Sequence, residues 1–430
     1  MTRLRLTLFV AATLLSTAAQ ADVVRANSTT LFYSRQDWYA GQTQNASPIF
    51  QLVSITASEV SSPFAEDVEI ALSTWGSADL SDVRRWQNGG PAEVRVYGDV
   101  DTAYIKGDLF SHHLTLRIGR QMIADGVARM VQLDGGQFRL RLPGNFGLSG
   151  YAGSPVSPRF AARGGEFVTG NTRGDLASGG RIFWFWPNLM EVGASVAYDR
   201  DRGDLSREDV GADLRLNLPL HLELVSSAFY SIPEARWGEV AVSGAWRGRR
   251  DVQVLVDYRH TEPDLFLPRT SILSVFAESE RDDVGGTLRL QPARNVQVDV
   301  TYTELFEPDG NGHRGNVKAT WRPRAAWDVG AEGGILSHKD NGGYWLARGF
   351  AAWRQTLLEI TGDIMAVVLD KSVNDETLSF TATGTAGYRF AAGWKVLVAG
   401  TAGTDPFLSR HFDVLAKLVY DQTYTTREVR

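Results

Sequence analysis

The side chains equipped for chemistry in this sequence are arginines, lysines and carboxylates set at every second position of short extended-looking stretches. Arg117 alternates with Leu116 and Ile118, and Arg139 and Arg141 alternate with Phe138, Leu140 and Leu142. Asp213 and Arg215 alternate with Ala212, Leu214 and Leu216, and Asp257 and Arg259 follow Val256 and Tyr258 in the same way. Arg289, Asp299, Lys318, Arg322, Glu359, Asp363, Arg389 and Lys395 recur in similar settings. Charges lining one side of a wet space create a field that attracts or orients charged solutes. Bond-making needs more, namely a nucleophile with its base, or a metal, in a fixed constellation. No H-E-x-x-H, G-x-S-x-G or P-loop is present, and the histidines are scattered. His112-His113 falls on a short turn and reads as two solvated imidazoles. The reading is therefore of a non-enzyme, with no catalytic residue, metal or cofactor expected. The absence of cysteine excludes disulfides, thiolate metal sites and c-type haem attachment.

Charges at every second residue require strands, because only a period of two puts them all on one face. The stretch from Leu114 to Leu142 shows the pattern in full. Leu114, Leu116 and Ile118 oppose Thr115, Arg117 and Gly119; after an Asp-Gly turn region, Phe138, Leu140 and Leu142 oppose Gln137, Arg139 and Arg141. Val252 to Arg259, Val296 to Thr303, Leu378 to Arg389 and Val210 to Leu216 repeat it. In these stretches the apolar face carries no charge, as it must in lipid, where a midplane charge costs about 2–4 kcal/mol. The expected fold is all-β, a single transmembrane antiparallel up-and-down barrel of about 18–22 strands. The apolar set would face outer-membrane lipid and the charged set would line the lumen.

Connections sort by length. Tight turns are read at 111–113, 143–145, 187–188, 219–220, 247–250, 292–295, 323–326, 354–356 and 391–393. Longer, more polar connections are read at 157–175, 199–207, 263–280, 308–314, 338–343, 371–376 and 405–410. Short periplasmic turns and longer external loops are the asymmetry of an outer-membrane barrel. Trp184, Trp186, Trp246, Trp321, Trp327, Trp353 and Trp394 flank the tight turns, which suits a periplasmic girdle at headgroup level.

The first 21 residues read as a cleaved secretory leader: Arg3 and Arg5, an apolar run from Leu6 to Leu15, and Ala19-Gln20-Ala21. Residues 22–430 then form one domain, because no linker or composition shift divides them. The destination would be the outer membrane of a Gram-negative bacterium. A net charge of -6 gives no footing for nucleic acid. Twenty strands about 4.8 Å apart and tilted near 40° enclose a diameter of roughly 40 Å, more than facing side chains can fill. The lumen is then either open or narrowed by loops 157–175 and 263–280, the first bearing Arg159, Arg163 and Arg173. Arg120 lies opposite Asp134 if the intervening turn centres near Val127. A bulge at Gly119 would turn that pair inward to brace the channel wall.

Residues 114–160, through Ile118-Gly119-Arg120-Gln121, Leu133-Asp134-Gly135 and Tyr151-Ala152-Gly153, resemble the alginate-export family of outer-membrane barrels. More broadly the chain is similar to myxobacterial integral β-barrels proposed to partner polysaccharide-export proteins. The resemblance implies secretion of an exopolysaccharide through an arginine-lined pore, with a periplasmic polysaccharide-export protein as partner. Two alternatives rest on the same wall: a general diffusion porin for small solutes, and a structural sleeve around a partner such as a multihaem cytochrome.

Overall fold

A computed structural model describes residues 21–39, 42–80, 96–128, 131–156, 159–160, 167–168, 175–201, 203–266, 280–339 and 342–425. Their alternating sequence folds into a closed antiparallel up-and-down barrel of 22 strands, at the upper end of the expected range. The first seven are β1 (Ala21–Tyr39), β2 (Pro48–Val60), β3 (Glu66–Asp79), β4 (Val96–Leu109), β5 (Leu114–Ile123), β6 (Val131–Leu142) and β7 (Phe146–Pro155). Next come β8 (Leu176–Trp186), β9 (Met190–Asp201), β10 (Asp204–Leu218), β11 (Leu222–Ser231), β12 (Arg236–Trp246), β13 (Val252–Thr261), β14 (Arg281–Ala293) and β15 (Val296–Glu307). The wall is completed by β16 (Gly310–Trp321), β17 (Trp327–His338), β18 (Tyr344–Arg354), β19 (Leu358–Val373), β20 (Glu376–Ala391), β21 (Trp394–Thr404) and β22 (Arg410–Thr425). Each strand pairs with its sequence neighbours, and β22 closes on β1 from Val23↔Thr425 to Trp38↔Arg410. An even strand number returns both ends of the wall to the rim of tight turns.

Of the residues 1–21 read as a leader, 1–20 lie outside the described residues, whereas Ala21 pairs with Val60 at the start of β1. At the opposite rim the connections are less uniform than expected. The links at 308–309 and 374–375 contain two residues each, because the flanking strands continue through what read as loop.

The wall has two distinct faces. Val256 is 56% exposed and Ile364 is 55% exposed although both stand in mid-strand, as expected of side chains meant for lipid. The seven tryptophans expected to form a girdle share that outer face beside the tight turns. Trp327 lies 6.3 Å from Trp353, and Trp394 lies 4.7 Å from Tyr420. Polar exceptions on the outer face are satisfied locally. Gln51 accepts from Thr30 at 2.6 Å and donates to Ser28 at 2.9 Å. Near the other rim, Tyr258 donates to Asp282 at 2.8 Å, and His260 lies 3.1 Å from the same carboxylate. Tightly buried apolar residues are few. Ile123, Leu133 and Tyr151 form one cluster, and Val127, Ala197 and Phe229 form another. These two lie inside the barrel along β5 to β11, so the lumen is packed on one arc, whereas Ala21, Ala57 and Val60 form a third cluster at the tight-turn rim.

Candidate functional site

The site is the inner face of the wall together with the segment that packs against it. Along most of the circumference the charges neutralise one another. Arg181 is 7% exposed and grips Asp213 with two nitrogens, with Glu191 at 2.7 Å. Glu223 is shared by Arg215 at 3.0 Å and Arg247 at 2.7 Å. Arg259 pairs with Glu239 at 2.6 Å, and Arg289 with Asp299 at 2.7 Å. Arg348, which sequence reasoning did not single out, ties Asp363 at 2.6 Å to Glu332 at 3.3 Å. At the tight-turn rim Asp328 joins Arg322 to Arg354, and Glu359 accepts from Lys395 at 2.7 Å. Lys318 sits 5.2 Å from the Phe350 ring centre. Such opposed pairs stabilise neighbouring strands and give no net field.

One arc differs. Lys106 stands directly opposite Arg117 in the β4–β5 ladder, and Arg139 and Arg141 follow on β6. Among the described residues none of these four has a carboxylate at ion-pairing distance. Instead Arg117 lies over Tyr104 at 4.7 Å and Arg139 over Phe183 at 4.9 Å. Aromatic faces hold a guanidinium in place and leave its charge available. Like charges directly opposite each other across a ladder are unfavourable on their own; on its other side Lys106 faces Glu69 in the β3–β4 ladder, which offsets part of this charge. Asp257 and Arg389 also face the lumen without an ion pair among the described residues.

A segment read as a plain turn reaches into the lumen. Between β5 and β6 the backbone turns through Asp125, Gly126 and Val127, and Val127 is 6% exposed against Ala197 and Phe229. Its N–H donates to Ser195 Oγ at 3.1 Å, Arg207 donates to its carbonyl at 2.7 Å, and Ser149 donates to Asp125. Glycine makes this approach possible. A Cβ on Gly211 would meet Val127 at 2.2 Å, and one on Gly126, at φ +54°, would meet Ser195 Oγ at 2.4 Å. The signal available in the sequence was an apolar Val127 at a loop tip, facing a wall of small residues at 195, 197 and 211. Of the expected constrictions, Arg163 and Arg173 lie outside the described residues, and for Arg159 only the backbone is described, in a two-residue ladder with Phe167–Val168. The start of 263–280 does turn inward. Phe266 meets Phe229 edge-on at 5.9 Å, and Arg236 holds Glu262 and Asp264.

The inward orientation expected for Arg120 and Asp134 is corrected. The two are paired, with guanidinium-to-carboxylate distances of 2.7 and 2.9 Å. No bulge interrupts the ladders through Gly119, which run Tyr104↔Gly119↔Gly135 and Ile105↔Ile118↔Gly136. Arg120 therefore keeps the parity of Ile118, on the outer face. Gly119 serves a close backbone approach instead, since a Cβ there would lie 2.1 Å from the Ala103 carbonyl oxygen. Arg120 is tolerated because Asp99 at 3.0 Å and the Val100 carbonyl at 2.8 Å occupy its remaining nitrogen.

No protein-family model matches the chain, so membership of the alginate-export family is not supported. No curated protein matches either. Among solved structures, a variant of the ferric enterobactin receptor PfeA from Pseudomonas aeruginosa aligns with TM-score 0.55 at 8% identity, covering 92% of this chain and 80% of that one. The translocation pore of the P pilus usher PapC gives TM-score 0.47 at 10% identity, covering 94% and 100%. OccAB4 of Acinetobacter baumannii gives 0.44 at 9%, covering 94% and 99%. The likeness is one of fold, that of an outer-membrane β-barrel.

Proposed function

We propose that this chain is an outer-membrane channel for small anionic solutes, delivered by a leader of residues 1–21 and narrowed by the inward segment around Val127. The observation that carries this reading is the contrast along the lumen wall. Arg117, Arg139 and Arg141 have no carboxylate at ion-pairing distance among the described residues, while the arginines of the remaining arc are largely paired. A fixed cationic arc in a confined space raises the local concentration of anions. No group in the lumen is asked to make or break a bond, and the role is passage.

Export of an anionic exopolysaccharide is the second reading. The same arc supports it, and so does the hairpin resemblance, with a periplasmic polysaccharide-export protein as the natural partner at the tight-turn rim. The packed inward segment favours small solutes, since a polymer needs a wider unobstructed bore. A sleeve around a cytochrome has no observation of its own in its favour.

Reversal potentials in planar bilayers under a potassium chloride gradient test the proposal. The unaltered protein is expected to prefer chloride, and Arg117→Gln/Arg139→Gln/Arg141→Gln to lose or invert that preference. Because Lys106–Arg117 repulsion is relieved, the triple variant should keep its stability. Equal selectivity in both proteins would remove the basis for an anion channel. Normal surface polysaccharide in a deletion strain would count against export.

A further inference from the structure

Four side chains cluster at the tight-turn rim. Glu66 and Asp67 begin β3, Asp108 lies near the end of β4, and His112 stands in the turn that follows. The β3–β4 ladder sets Glu66 directly opposite Asp108. His112 Nδ1 lies 3.1 Å from Asp108 Oδ2 and 3.6 Å from Asp67 Oδ2, while Nε2 lies 3.3 Å from Glu66 Oε2. One ligand atom each from Asp67, Asp108 and His112 falls within 4.8 Å of the others. We propose that Asp67, Asp108 and His112 bind a divalent transition metal of the zinc class at this rim, with Glu66 orienting the imidazole.

Three features point to a metal rather than a simple ion-pair cluster. First, the donors are mixed, one imidazole nitrogen and two carboxylates, a set that suits zinc, cobalt or nickel and not calcium or magnesium. Second, the fourth residue is placed as an outer partner. A metal-bound imidazole usually donates its far N–H to a carboxylate, which fixes the tautomer and the ring, and Glu66 stands at that far nitrogen. Third, the charges do not balance without an ion. Lys106, whose charge acts on Asp108, and a proton on His112 together offset two of three negative charges, whereas Lys106 and a divalent ion offset all three. Asp108 Oδ1 is moreover buried with no hydrogen-bond partner, so the carboxylate keeps an unused lone-pair oxygen. The ligands come from the turns that flank the β3–β4 pair, so a bound ion would clamp two adjacent hairpins at the rim.

In the metal-free protein the hydrogen bond that His112 donates to Asp108, reinforced by the charges of Glu66 and Asp67, raises the His112 pKa above its usual value. Protons then compete with the metal, and affinity must fall as the pH is lowered. The test uses the full chain in detergent, titrated with zinc against a fluorescent chelator, and with cobalt followed by its visible absorption. One ion per chain is expected, with a cobalt spectrum of mixed nitrogen and oxygen ligation and weaker binding at acid than at neutral pH. His112→Ala and Asp108→Asn should abolish binding, and Glu66→Gln should weaken it by roughly tenfold. His221→Ala, at another tight turn, should leave it unchanged. The heat-dependent gel shift of the folded barrel in every variant separates loss of the site from loss of the fold. No uptake by the unaltered protein, or uptake that survives His112→Ala, would overturn the assignment.

Discussion

Val127→Asp is expected to open the channel. The substitution puts a carboxylate where Val127 now packs on Ala197 and Phe229. Ser195, Arg207 and Ser149 hold the segment by three hydrogen bonds. Burying a lone charge costs several kcal/mol, whereas burying a valine contributes about 1.5–3 kcal/mol. The balance reverses, and the segment should leave the wall for the solvent. Single-channel conductance should then rise several-fold. Thermal stability should change little, because the β5–β6 ladder from Leu114↔Leu140 to Ile123↔Val131 is untouched. An unchanged conductance would mean that this segment does not limit passage.

The second large effect concerns the outside of the wall. Ile364→Arg places a charge in mid-strand on β19, among Gly349 and Ala382 of the adjoining strands. If that face meets lipid, stability should drop by about 2–4 kcal/mol, the cost of arginine near a bilayer midplane. Thr383→Arg is the comparison, since Thr383 pairs with Asp363 and Thr401 on the inner face. It should be tolerated and should instead alter conductance. Urea titrations of protein folded into vesicles would measure both. Equal losses at the two positions would contradict the assignment of faces.

The fold was legible because one physical rule acts on nearly every residue of the wall. Val252, Val254, Val256 and Tyr258 can share a face only in a strand, and an uncharged face that long suits lipid. Strand ends were less legible. Glu307 and Gly310 continue the pairing through sequence that reads as loop, since backbone hydrogen bonding does not depend on side-chain type. Loops were hardest, as their conformation is decided by what they land on. The inward turn at Asp125–Val127 depends on the small residues at 195, 197 and 211, which are far away in sequence. The Arg120–Asp134 partnership was readable from hairpin register, and parity with Ile118 pointed it outward; the inward turn rested on a bulge that the ladders do not contain. Glycine at 119 signals a special backbone, and both a bulge and a close approach require one. The pairing partners of Arg289, Arg259 and Arg215 also lay beyond sequence reading, because they depend on register. Hence the unpaired arc at Lys106, Arg117, Arg139 and Arg141 emerged only once the ladders were in place.

The central claim is a closed wall, oily outside and wet inside, and the absence of native cysteine allows a direct test. Single cysteines are placed in turn from position 253 to 258 on β13 and from 380 to 385 on β20, in protein reconstituted into vesicles. A charged thiol reagent supplied in water and a lipid-soluble one are then applied separately. The account predicts strict alternation: positions 254, 256 and 258, and 380, 382 and 384, react from the lipid, and their neighbours react from water. Reaction of every position with the aqueous reagent would contradict it.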